Sequence, residues 1–117
     1  MRARELWRVN GSLNYTYSRR ESGCFCPEEL TRPVLVIIRD GVRVVPVADK
    51  DVLRFGGGPV TVPEYFDYIA RLIKRNGPTK ISIEYDPRDG HPYAIENPGA
   101  KLDDNWLIEI QGLRHDG

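Results

Sequence analysis

The sequence predicts one α+β domain, an antiparallel sheet of about five or six strands packed against a main helix over about 62–76, with a short helix at the N-terminus. Three observations lead there. Alternating or β-branched segments cluster on either side of a single amphipathic stretch. That stretch opens on Thr61-Val62-Pro63-Glu64, the pattern of a helix capping box. Two turn-forming sequences, Asp40-Gly41 and Asp86-Pro87-Arg88-Asp89-Gly90, fold neighbouring strands back on one another.

In chain order, Arg2 to Asn10 places Leu6 and Val9 three apart beside Trp7, and Gly11 follows where a helix cap falls, which predicts a short helix. From Leu13 the period becomes two: Leu13, Tyr15 and Tyr17 alternate with Asn14, Thr16 and Ser18, as in a strand with one buried face. Val34 to Ile38 is almost continuously apolar and suggests a strand that is central or covered on both faces. It turns at Asp40-Gly41 into a strand that Pro46 marks as peripheral or ending. Asp49 to Pro59, with Gly56, Gly57 and Gly58 in a row, reads as a connection. The helix after Thr61 carries Phe66, Ile69 and Ile73 as an apolar stripe flanked by Tyr65 and Leu72, and Asn76-Gly77-Pro78 ends it. Ile81, Ile83 and Tyr85, then Tyr93 and Ile95, form a second hairpin. Trp106, Ile108 and Ile110 predict a last strand beside it, and the tail from about 112 is expected to fray. The two hairpins on either side of the helix give the chain a loosely two-halved look.

With 117 residues the chain suits one core, burying roughly two thirds of its unfolded surface. Its 17 basic and 17 acidic residues cancel, so no overall field attracts nucleic acid or an anionic membrane, and no nucleic-acid partner is expected. No apolar run approaches the length of a transmembrane segment, and the N-terminus is too charged and interrupted for a secretory signal. Tyr15 and Tyr17 with Arg19 and Arg20 have the composition of a stacking platform for single strands, but a cross-strand or core role suits β-strand tyrosines better.

The order of landmarks also carries a resemblance. Trp7, the strand Asn14-Tyr15-Thr16-Tyr17, the thiol pair in Cys24-Phe25-Cys26-Pro27, the Asp40-Gly41 turn, Thr61 to Ile69 and the run Tyr85-Asp86-Pro87-Arg88-Asp89-Gly90-His91-Pro92 succeed one another. So arranged, the chain resembles a family of small bacterial proteins, often exported or lipid-anchored, that is catalogued as a domain of unknown function. The resemblance implies a periplasmic or extracellular setting, the alternative being the cytoplasm, and brings no catalytic residues with it. Neither a leader nor a lipid-attachment cysteine is seen in the sequence.

Cys24 and Cys26 are the most distinctive chemical pair. Two apart on a straight strand they lie near the limit of disulfide geometry, so a bridge needs the bend that Gly23 and Pro27 permit. Bridged, they form a structural loop or a labile redox pair; reduced, they are packed thiols or half of a soft-metal site. Asp86, Asp89, Asp103 and Asp104 can converge on calcium, although turn chemistry explains them more simply. Glu84 and Glu96 fall on the solvated side of their strands, which argues against an acid–base pair. Gly56 to Gly58 lacks the lysine of a phosphate loop and is a candidate interaction surface instead.

The reading that follows is a noncatalytic binding or interaction module for a protein, peptide or small ligand, with no cofactor, no metal and no catalytic residues; enzymatic activity is not expected. The alternative is a thiol-dependent redox or metal-binding protein that works through Cys24 and Cys26. A deep cleft gathering His91 and several carboxylates around one point would overturn the first reading. Ligand, pathway and oligomeric state leave no mark in composition or spacing.

Overall fold

A computed structural model describes residues 2–22, 32–44, 59–76, 81–97 and 106–116. It is a single α+β domain in which the described residues form two helices on a six-stranded antiparallel sheet. The elements are α1 (Arg2–Asn10), β1 (Tyr15–Ser22), β2 (Val34–Arg39), β3 (Val42–Val44), α2 (Val62–Asn76), β4 (Ser82–Tyr85), β5 (Pro92–Asn97) and β6 (Trp106–His115). The sheet order is β3-β2-β1-β6-β5-β4. Among the described residues, each half of the chain is thus a helix followed by a three-strand meander, and the halves join where β1 meets β6.

The local signals act as expected at most element boundaries. Thr61 Oγ1 accepts from the Glu64 amide (3.3 Å) while Glu64 Oε1 accepts from the Thr61 amide (2.9 Å), which completes the capping box. Asp40 and Gly41 take φ values of 53° and 76°, as a type I′ turn requires, and join β2 to β3. The core lies between helices and sheet. Val62, Tyr65, Phe66, Ile69 and Leu72 of α2 are buried with Tyr15 and Tyr17 of β1, Val36 and Ile38 of β2, Ile95 of β5, and Ile108 and Ile110 of β6. The tyrosines are therefore core residues and not a stacking platform. Glu84 lies opposite Ala94 and Glu96 opposite Ser82, so the two glutamates do not face each other.

Three expectations are corrected. In α1 the buried residues are Ala3 and Trp7, four apart, and Val9 is exposed, because one turn of helix separates the residues that meet the sheet. β2 lies inside the sheet, between β3 and β1, as one of the two expected alternatives has it, but its apolar run is not covered on both faces: Val34, Val36 and Ile38 are buried, while Leu35 is exposed with Val42 and Val44 of the edge strand. Most consequential is the C-terminal tail, which does not fray at 112. β6 runs on to His115, and Asp116 ties off its end by accepting from Thr16 Oγ1 (2.5 Å), Arg39 and Arg114.

A bulge makes this extension possible. Thr16 pairs with Arg114 and Ser18 with Gln111, so Gly112 and Leu113 together oppose Tyr17, with Gly112 at a φ of 63°. The extra residue shifts the alternation by one. Ile108 and Ile110 face the helices before the bulge; after it, Leu113 and His115 do, and His115 pairs with the buried Tyr15.

Candidate functional site

The β4–β5 turn, the end of β6 and the C-terminus of α1 meet at one edge of the helical layer. The turn is closed by its own backbone: the Asp86 amide donates to the His91 carbonyl (2.8 Å) and the Gly90 amide to the Asp86 carbonyl (2.8 Å). Gly90 sits at a φ of 82° directly against α1, where a Cβ would lie 2.0 Å from the Ala3 carbonyl oxygen. Asn10 Nδ2 donates to the Arg88 carbonyl (2.9 Å), a second tie between helix and turn.

Within this frame Asp89 lies between two imidazoles. Its Oδ1 accepts from the His91 amide (2.9 Å) and lies 2.6 Å from His91 Nδ1; its Oδ2 lies 2.8 Å from His115 Nε2. Asp89 and His91 are buried, at 7% and 5% exposure. Burial by itself raises the Asp89 pKa, but the hydrogen bonds from the His91 ring and amide and from the His115 ring outweigh it and hold the carboxyl well below the usual range. An ionised carboxylate only accepts, so the ring nitrogens that face it carry hydrogen: Nδ1 of His91 and Nε2 of His115. In its neutral form His91 then has its lone pair on Nε2. Among the described residues, that nitrogen has no partner.

His91 lines an open depression of about 400 Å³, together with Asp86, Arg88, Tyr93, Gln111 and Gly112. Asp86 is held by its neighbour: Oδ1 accepts from the Arg88 amide (2.8 Å) and Nε (3.1 Å), and Oδ2 from Nη2 (2.9 Å). The side-chain hydrogen bonds from Arg88, opposed by partial burial, lower the Asp86 pKa. One ligand atom from each of Asp86, Asp89 and His91 lies within 4.8 Å of the other two. The convergence of His91 with carboxylates therefore does occur, in a shallow depression and not in a deep cleft.

On the far side of Asp89, His115 Nδ1 is 2.7 Å from Ser12 Oγ. Ser12, His115 and Asp89 thus have the connectivity of a nucleophile, base and orienting carboxylate. Two contacts work against that chemistry. The Ser12 hydroxyl has a second acceptor in the Asn14 carbonyl (2.9 Å), and the adjacent Gly11 amide is already bonded to the Trp7 carbonyl (2.7 Å), so it offers nothing to an oxyanion. The His115 ring is packed against Trp7 and Tyr15, with centroids 5.5 and 6.3 Å away.

Of the residues singled out in the sequence, Cys24, Cys26, Gly56, Gly57, Gly58, Asp103 and Asp104 lie outside the described residues. Asp86, Asp89 and His91 come together. Ser12 was not singled out in the sequence, and His115 fell in the tail expected to fray, with no spacing to give it a role. The one signal for His115 was Gly112, an isolated glycine in a strand pattern, which marks a bulge and restarts the alternation at Leu113 and His115.

A family of unknown function, DUF6174, matches residues 1–113. The chain belongs to this family. The DUF6174 match spans both halves of the sheet and the whole β4–β5 turn, and stops short of His115, so it covers Asp89 and His91 but not their partner from the end of β6. No curated protein and no solved structure matches the chain. None of the helices among the described residues is long and apolar enough to cross a membrane.

The low pKa values of Asp89, Asp86 and Asp116 set a direction for acid stability. The Asp116 pKa is lowered chiefly by the Thr16 hydroxyl. A carboxyl whose folded pKa lies below its unfolded value contributes stability that is intact above about pH 4 and is lost as pH falls through the folded value. Urea denaturation at a series of pH values should therefore show stability falling below about pH 4. An Asp89→Asn variant should be much weaker than wild type at pH 7, and the gap should narrow steadily as pH falls below about 4. A gap that stays constant from about pH 7 to about pH 2 would show that the Asp89 charge is irrelevant.

Proposed function

We propose that the chain is a noncatalytic binding module that works outside the cytoplasm, and that the depression beside His91 holds its ligand, a small molecule or a segment of peptide or protein. The supporting observation is the Asp89–His91 pair. His91, a residue 5% exposed, is oriented by an ionised carboxylate and lines an open depression, and its Nε2 has no partner among the described residues. Orienting a buried imidazole in this way is characteristic of a group prepared for contact. The extracytoplasmic setting rests on the resemblance to exported proteins carried by the Cys24-Phe25-Cys26-Pro27 and Tyr85 to Pro92 landmarks.

The test is a ¹⁵N chemical-shift titration of the full chain with acetate, inorganic phosphate and a panel of acetylated amino-acid amides. Binding should move the amides of Gly90, His91, Tyr93, Gln111 and Gly112 together, and His91→Asn should abolish the response. Shifts confined to other surfaces would reject the site. Hydrolysis of an activated ester that disappears in Ser12→Ala would reject the noncatalytic reading in favour of the Ser12–His115–Asp89 chain.

A further inference from the structure

We propose that the depression beside His91 binds a divalent transition-metal ion of the zinc type, through His91 Nε2 and the Asp86 carboxylate, with Asp89 and His115 as positioning residues behind the imidazole. The proposal rests on the reading of this depression as the binding site and names what it takes.

Four observations carry it. The first is the tautomer. A metal-ligating histidine nearly always gives its other ring N–H to a carboxylate or carbonyl, which fixes the ring and leaves one lone pair for the ion. His91 meets this condition: Nδ1 lies 2.6 Å from Asp89 Oδ1, and Nε2 has no partner among the described residues. The second is the anchoring of that carboxylate. Asp89 Oδ2 is held by His115 at 2.8 Å, so the carboxylate cannot swing away from the His91 ring.

The third is the second charge. Asp86 lines the same depression as His91, and one of its carboxylate oxygens lies within 4.8 Å of a ring nitrogen of His91 and of a carboxylate oxygen of Asp89. An imidazole nitrogen combined with a carboxylate oxygen suits zinc, copper or nickel better than calcium or magnesium, which prefer oxygen throughout. The fourth is rigidity. The Gly90 backbone lies against the Ala3 carbonyl and the Arg88 carbonyl accepts from Asn10, so donors at both ends of the turn are held before any ion arrives.

Arg88 is the built-in competitor. Its guanidinium occupies the Asp86 carboxylate, yet its side chain is 84% exposed. Such a pair is weak and can be displaced by a dication, which leaves the arginine in water. With two protein ligands, the remaining coordination positions go to water or to the donor atoms of a bound small molecule.

The experiment uses long-range ¹H–¹⁵N spectra of the imidazoles in the full chain, with Cys24 and Cys26 alkylated so that thiolates do not compete for metal. The sequence holds two histidines, so each ring is read separately. The free protein should show His91 protonated on Nδ1, and added zinc should move His91 Nε2 before any change at His115. His91→Asn, which keeps an amide donor for Asp89 but lacks Nε2, should lose the site while remaining folded. Arg88→Gln should tighten zinc binding by about two- to fivefold, the value of an exposed ion pair removed from competition.

Zinc that leaves the wild-type His91 ring unchanged, or that acts on His115 first, overturns the proposal, as does full zinc binding by His91→Asn. If acetate, phosphate or the amides shift Gly90, Tyr93 and Gln111 while zinc leaves His91 unmoved, the metal is wrong and the binding depression stands. If neither zinc nor those probes moves these residues, both readings fail.

Discussion

Glu21→Ala should lower the stability of the domain by about 3–5 kcal/mol. Arg19 and Glu21 both project from the helix-facing side of β1, each 2% exposed, with Arg19 Nη2 2.5 Å from Glu21 Oε1. Arg19 also donates through Nε to the Tyr65 hydroxyl (2.8 Å), which lies 3.1 Å from the Tyr17 hydroxyl; that hydroxyl in turn donates to the Val60 carbonyl (2.5 Å). Burial alone lowers the Arg19 pKa, but Tyr65 and Glu21 overcome it and the guanidinium stays charged. Removing Glu21 therefore leaves a buried cation without its counter-ion. Breaking such a pair costs far more than replacing it, so the double variant Arg19→Met with Glu21→Leu should recover most of the loss. Urea denaturation of the three proteins decides the matter. A Glu21→Ala loss below about 1 kcal/mol would mean that the cation finds water or another anion.

The second large effect is expected at Gly90. Two penalties fall on an alanine there: the left-handed backbone at a φ of 82°, and a Cβ placed 2.0 Å from the Ala3 carbonyl oxygen and 2.9 Å from Leu6 Cβ. The first costs about 1–2 kcal/mol and the second, as overpacking, about 1–3 kcal/mol, so Gly90→Ala should destabilise by about 2–5 kcal/mol. Neither neighbour is the flexible end of a long side chain; both belong to α1. Relief requires the helix to move off the sheet, so the near-ultraviolet signal of Trp7, packed edge-on to Tyr15 at 5.2 Å, should weaken with the stability. Gly112→Ala is the control. Its Cβ meets nothing within 4 Å, so only the backbone penalty applies. Equal losses at the two positions would show that the contact with α1 is unimportant.

Most of the fold was legible because each element carries its own local instruction. The Thr61–Glu64 box starts α2, Asp40-Gly41 closes the first hairpin, and alternation in β1 and β6 assigns one face of each to the core. The order of strands was legible only within each meander. That β1 lies beside β6 depends on which of two edges closes on which, and neither residue spacing nor turn chemistry encodes it.

The site was legible in part. Asp86, Asp89 and His91 stood out as polar residues crowded into a turn, but turns use aspartates for their own hydrogen bonds, and Asp86 and Asp89 do so here with the Arg88 and His91 amides. What turns Asp89 into an orienting group is His115, placed opposite Tyr15 by a bulge in a strand read as ending before it. A pairing between positions so far apart follows from tertiary packing, which a periodicity cannot report.

The seam between β1 and β6 has a further consequence for how the chain is made. Tyr15 pairs with His115, so the middle of the sheet is joined by β6, which is made after the other five described strands. Until then the first meander exists with the inner edge of β1 bare, a row of unpaired amides and carbonyls that can recruit another nascent chain. Closing the seam brings together segments 100 residues apart, so assembly waits on synthesis of β6 and stays slow afterwards. A polypeptide truncated just before β6 would have two half-sheets and nothing to zip them.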